Sequence, residues 1–145
     1  MIRWATIFLF LPILVGASSI SYDDSFFKEN YSRILRSRTT FPAGTPLLEQ
    51  VTSKSPSEYA QAVIYQTDPV KVPYHQEKAY IEITGDDVSP LYIEVKYFRS
   101  VWVSWATDGI LVIHRDIGHV AGMEEVIDVV DRRWLSQKAV FYRAE

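Results

Sequence analysis

Apolar and polar positions follow two different periods along this chain. From about residue 78 onward the period is two. Residues 79–84 and 91–98 alternate, with Gly85-Asp86-Asp87 and Ser89-Pro90 as turn material between them. Residues 101–106 and 110–115 follow, split by Thr107-Asp108-Gly109. Such short connections predict that consecutive strands are antiparallel neighbours in a meander. If Phe98-Arg99-Ser100 closes a hairpin, Val95 meets Val103. Ile93, Tyr97 and Trp105 then share the core face, while Tyr92, Glu94, Lys96, Trp102 and Ser104 share the other.

Upstream of residue 78 the spacing reads as helical. Ser21 can cap a helix start, and Asp23 and Asp24 suit the positive end of its dipole. Phe27, Tyr31, Ile34 and Leu35 then recur as one apolar stripe, and Arg33, Arg36 and Arg38 close the last turns. That arginine group reads either as dipole complementation or as a patch for an anion or a membrane surface. Residues 39–53, with Pro42, Gly44 and Pro46, are irregular. Ser55-Pro56-Ser57-Glu58 has the form of a capping box with proline at the first helical position, predicting a second helix to about Gln66. Thr67-Asp68-Pro69 ends it, and Pro69 and Pro73 stiffen the link onward.

Residues 122–134 fit both periods. Met123, Val126, Ile127, Val130 and Trp134 lie on one helical face, yet the run Val126-Ile127-Asp128-Val129-Val130 is dominated by β-branched residues and is read as a strand. The expected fold is therefore α+β: two N-terminal helices (residues 18–68) packed on a C-terminal antiparallel meander of five to six strands (residues 76–145).

Residues 1–17 follow neither period. Arg3 precedes an apolar run over residues 7–15, and Val15-Gly16-Ala17 offers small residues at a cleavage position. These are the parts of a secretory signal peptide. Pro12 and the weakening at Gly16, Ser18 and Ser19 make the run a poor membrane anchor, which needs about 20 apolar residues. The expectation is a cleaved leader and one globular domain over residues 18–145, exported to a periplasmic or extracellular space, with no span left after cleavage.

Composition sharpens this picture. Of the 145 residues, 48% are hydrophobic and 14% aromatic, enough for a real core. Cysteine is absent, so disulfides and cleavage-site lipidation are excluded; in an exported domain this favours a bacterial periplasm. A net charge of −3 without a basic run argues against a nucleic-acid partner.

Three constellations could carry chemistry. Tyr92, Lys96 and Trp102 form the expected binding surface, where rings and charges could stack a sugar or take an anchor from a protein. The competing reading lays Trp102 over the Lys96 stem. His114, Asp116 and His119, with Glu124 and Glu125 nearby, could instead serve a hydrolase, with or without a metal, although the spacing matches no zinc motif. Its geometry depends on the turn at residues 107–109. A three-residue loop puts His114 opposite Trp102 on the surface; a two-residue loop buries it. The carboxylate pairs Asp86-Asp87 and Glu124-Glu125, and Asp128 with Asp131, read as turn and surface chemistry. No nucleophile elbow or glycine-rich phosphate loop is present, and no cofactor or metal is expected. The function expected from these features is a small exported, non-enzymatic binding module. Its partner would be a protein, as for an inhibitor or immunity-type protein, or an envelope glycan; the rival is the envelope hydrolase.

Overall fold

The computed structural model describes residues 23–142, so the leader, its cleavage position and the Ser21 cap lie outside the described residues. Within them the α+β expectation is overturned, because the protein is mostly β. One short helix, α1 (Asp24–Glu29), accompanies nine strands. These are β1 (Arg33–Leu35), β2 (Val51–Lys54), β3 (Ala60–Gln66), β4 (Lys78–Gly85), β5 (Val88–Lys96), β6 (Ser100–Thr107), β7 (Ile110–Asp116), β8 (Ala121–Asp128) and β9 (Arg133–Phe141). They form a five-stranded sheet ordered β1-β5-β4-β3-β2 and a four-stranded sheet ordered β6-β7-β8-β9, with antiparallel pairing throughout.

The two sheets bury their inner faces in one core. Ala62, Ile64, Ala79, Ile81, Ile83, Leu91, Ile93 and Val95 come from the first, and Val101, Leu111, Ile113 and Ile127 from the second. Each fully buried aliphatic side chain contributes about 1.5–3 kcal/mol relative to exposure. The alternation read from residue 78 onward is what produces these faces. Pro90 is tolerated inside β5 because short β1 pairs only with Tyr92, Ile93 and Glu94 and leaves Pro90 beyond its reach.

The second expected helix is a strand. In β3, Ala60, Ala62 and Ile64 are buried while Gln61, Val63 and Tyr65 are half-buried, a period of two along a run ending in Val63-Ile64-Tyr65. The apparent capping box closes the β2–β3 hairpin instead. Ser55 N–H donates to the Ala60 carbonyl (2.8 Å), Glu58 N–H to the Ser55 carbonyl (2.8 Å), and Ala60 N–H to Ser55 Oγ (2.9 Å). Small polar residues that satisfy a helix start satisfy a turn equally well.

The first expected helix stops after six residues. Asp23 caps it by accepting from Phe26 N–H (2.9 Å), and Asn30 ends it, donating from Nδ2 to the Phe26 carbonyl (2.8 Å). Residues 30–32 then serve a buried ion pair between β7 and β8. Arg115 and Glu125 have fully buried side chains 3.3 Å apart. Ser32 donates to Glu125 from its N–H (2.8 Å) and hydroxyl (2.6 Å), and Gln137 Nε2 donates to it at 2.7 Å. Arg115 donates to the carbonyls of Asn30 and Lys96. Buried charges need their full hydrogen-bond complement. Supplying it pulls residues 30–32 out of helical geometry and leads the chain into β1.

The chain changes sheets between β5 and β6, so Val95 does not meet Val103. Tyr97 adopts φ +56° there, a left-handed conformation that costs a bulky residue about 1–3 kcal/mol. Its ring packs edge-on against Phe26, with centroids 4.9 Å apart. Phe27, Ile117, Ala121 and Met123 form a second buried cluster that closes this end of the sandwich with α1.

Candidate functional site

Strand alternation sends Tyr65, Tyr80, Glu82 and Tyr92 to the outer face of the five-stranded sheet. Tyr65 lies directly opposite Tyr80, and Glu82 opposite Tyr92. Over this face runs an irregular strap, residues 36–48. A turn held by Thr45 donating twice to the Pro42 carbonyl shapes it, with Gly44 at φ +82°. The Leu48 N–H bond to the Gln66 carbonyl (3.0 Å) and the Asp68 N–H bond to the Pro46 carbonyl (2.9 Å) fasten its far end beside β3.

Strap and sheet enclose a groove of about 210 Å³, lined by Phe41 and Leu47 above and Tyr65, Tyr80, Glu82 and Tyr92 below. The Phe41 and Tyr80 rings meet at 5.0 Å with a 60° tilt. At the mouth, Arg38 Nε stands 3.4 Å from Glu82 Oε2, the arginine largely exposed. A tighter group lies alongside. Glu94 accepts from Arg33 Nη2 at 2.6 Å and has Lys96 Nζ at 3.2 Å. Partial burial pushes the Glu94 carboxyl up, but the hydrogen bonds from Arg33 and Lys96 outweigh it and hold the pKa below the usual carboxylate range.

Tyr92 and Lys96 thus share the outer face of the first sheet, while Trp102 belongs to the outer face of the second, on the opposite side of the sandwich. The expected three-residue surface is not assembled, and Trp102 does not lie over Lys96. Trp102 stacks instead on His114, with centroids 5.4 Å apart and planes 9° from parallel. Trp102 thus meets His114 as the longer loop would require, but the turn itself is the two-residue Asp108-Gly109 with Thr107 opposite Ile110; an irregularity between Trp105 and Thr107 shifts the pairing back and keeps His114 on the surface. Ser104 Oγ lies 3.0 Å from His114 Nε2. Glu124 stands opposite His114, and Lys138 opposite Glu124, completing a row across four strands.

The residues of the hydrolase reading are likewise distributed. His114 sits in that row. Asp116 and His119 line a separate, polar concavity of about 430 Å³ with Arg99, Ser100, Gly118 and Tyr142. Asp116 accepts there from Tyr142 Oη (2.6 Å) and Ser100 Oγ (2.9 Å), and His119 contacts Arg99 at 3.0 Å. Burial, and then the bond to Asp116, push the Tyr142 hydroxyl up to about 12, so it remains a donor. Gly122, opposite Asp116, gives Tyr142 room: a Cβ there would collide with its hydroxyl and come within 2.6 Å of the Arg115 carbonyl. Among the described residues no group of three or more His, Asp or Glu could hold a metal ion. Glu125 is spent inside the core.

Of the residues lining the groove, only Tyr92 belonged to the expected surface. Tyr65 was read on a helix, and Arg38 as a helix-terminal cation, a role that vanishes with the helix. Glu82 and Phe41 carried no chemical signal in sequence. Tyr65 could have been found by counting residues 60–66 at period two. Among the described residues, no helix is long and apolar enough to cross a membrane. No protein-family model matches the chain, and neither a curated protein nor a solved structure shows significant similarity to it.

Proposed function

We propose that this chain is a small exported binding module that recognises a protein partner through the tyrosine-lined groove. The observation that carries the reading is the convergence of Tyr65, Tyr80, Tyr92 and Phe41 around one concavity with an ion pair at its mouth. Tyrosine supplies broad contact area at low entropic cost together with a polar tip, and such rings dominate binding energy where they line a desolvated pocket. The groove is the size of one side chain, which suits an anchor projecting from a protein. The signal-like pattern of residues 1–17 is what supports export. The glycan and hydrolase readings are alternatives that the same experiment separates.

The test is retention of envelope proteins on immobilised mature protein. The same proteins should be held by the wild type and by the double variant His114→Ala/His119→Ala, and lost by Tyr80→Ala. Retention that survives Tyr80→Ala but not the histidine variant would transfer the site to the second sheet. Elution by free saccharide alone would favour the glycan.

A further inference from the structure

Resting on the reading of the groove as a protein-binding site, we infer that its occupant is a cationic side chain, an arginine or lysine of the partner, and that Arg38 is a resident competitor for the same place. The two carboxylates on this face differ in their partners. Glu94 is fully engaged, with Arg33 at 2.6 Å and Lys96 at 3.2 Å. Among the described residues Glu82 pairs with the Arg38 Nε alone, at 3.4 Å, and the arginine side chain is 61% exposed while that of Glu82 is 22% exposed. A pair at this distance whose arginine stands open to water is weak, so exchanging Arg38 for another cation costs little.

The surroundings favour that exchange. Glu82 sits opposite Tyr92 and one alternation from Tyr80, with Tyr65 next in the row. Aromatic faces beside a carboxylate form a setting for an ammonium or guanidinium, and the attraction rises as water is excluded. A neutral apolar anchor would use the rings but gain nothing from the Glu82 carboxylate, which would keep Arg38. Arg38 itself belongs to the strap rather than to a strand, so its side chain can swing into water without disturbing the sheet.

The probe is N-acetyl-arginine amide, followed by chemical-shift changes of the tyrosine rings, with N-acetyl-norleucine amide as its uncharged counterpart and methyl glucoside as the saccharide control. Binding is expected for the arginine probe alone, weakened at least tenfold by Glu82→Gln and by raising salt from 50 to 500 mM, and tightened about three- to tenfold by Arg38→Ala. Equal binding of the norleucine probe, or weaker binding in Arg38→Ala, would overturn the inference. Partner retention read in the same variants keeps the two ideas apart. Retention lost in Tyr80→Ala but unchanged in Glu82→Gln refutes the cation and leaves the groove; retention unchanged in both refutes the groove as well.

Discussion

The two outer faces of the sandwich are built by the same strand alternation and end as different surfaces. On the four-stranded sheet the row Trp102, His114, Glu124 and Lys138 stands open, with Trp102 44% exposed. On the five-stranded sheet, Tyr65, Tyr80, Glu82 and Tyr92 lie under the strap and become the floor of a groove. Strand chemistry alone makes a surface; a concavity needs a second layer. That layer comes from the least regular part of the chain, held by a few backbone hydrogen bonds and by Phe41 against Tyr80.

The most severe way to break the contrast is to unhook the segment that leads into the strap. Glu125→Ala leaves Arg115 buried without its carboxylate and should cost about 3–5 kcal/mol. In urea this would appear as a lower midpoint with an unchanged slope, and both faces would be lost together. A milder substitution should separate the faces. Tyr80→Ala is expected to weaken partner binding about thirtyfold, the equivalent of about 2 kcal/mol at a hot spot. Trp102→Ala should change it less than about twofold in the same titration.

A third experiment uses the buried carboxyl of Glu77, which lies at the start of β4's approach and is only 3% exposed. Burial, opposed by the nearby Arg99 charge, pushes its pKa up from 4.5 to about 7. The folded state therefore holds a proton that the unfolded state has released, and stability should decline as pH rises from about 4.5 through 7. After discounting for solvent screening, the decline attributable to Glu77 should be about 1–2 kcal/mol. Glu77→Gln should flatten this part of the stability profile, measured by denaturation midpoints, without changing groove binding at fixed pH. The smallest effect belongs to the open face. His114→Ala removes one stacked cross-strand pair and should cost about 0.2–1 kcal/mol, visible in thermal unfolding and absent from partner binding.

How much was legible follows from the range of each signal. Strands β4 to β7 could be read, with end errors of a few residues, because alternation is local and turn residues punctuate it; residues 122–134 fitted both periods, so β8 and the start of β9 were not separated. The surface pairing of His114 with Trp102 was legible only as one of two registers; the turn is the two-residue one that predicted burial, and the irregularity between Trp105 and Thr107, which leaves no mark in the sequence pattern, reversed the outcome. The candidate site was legible in part: Tyr92 and Lys96 do share an outer face, as alternation requires. Trp102 was misassigned because a change of sheet at residues 97–99 leaves no mark on the period.

The sequence by itself determined the inward and outward sides of β4, β5 and β6, the absence of disulfides, and the acidic balance. Only the tertiary structure decided that residues 30–35 leave α1 for β1, that residues 60–66 are β3, and that β5 and β6 belong to different sheets. The reason is physical. Local propensity in these segments is divided, and the deciding energies act between residues far apart in the chain. Ser32 must satisfy Glu125 93 positions away, and Ala62 and Ile64 must fill a core whose other wall is Leu111 and Ile113.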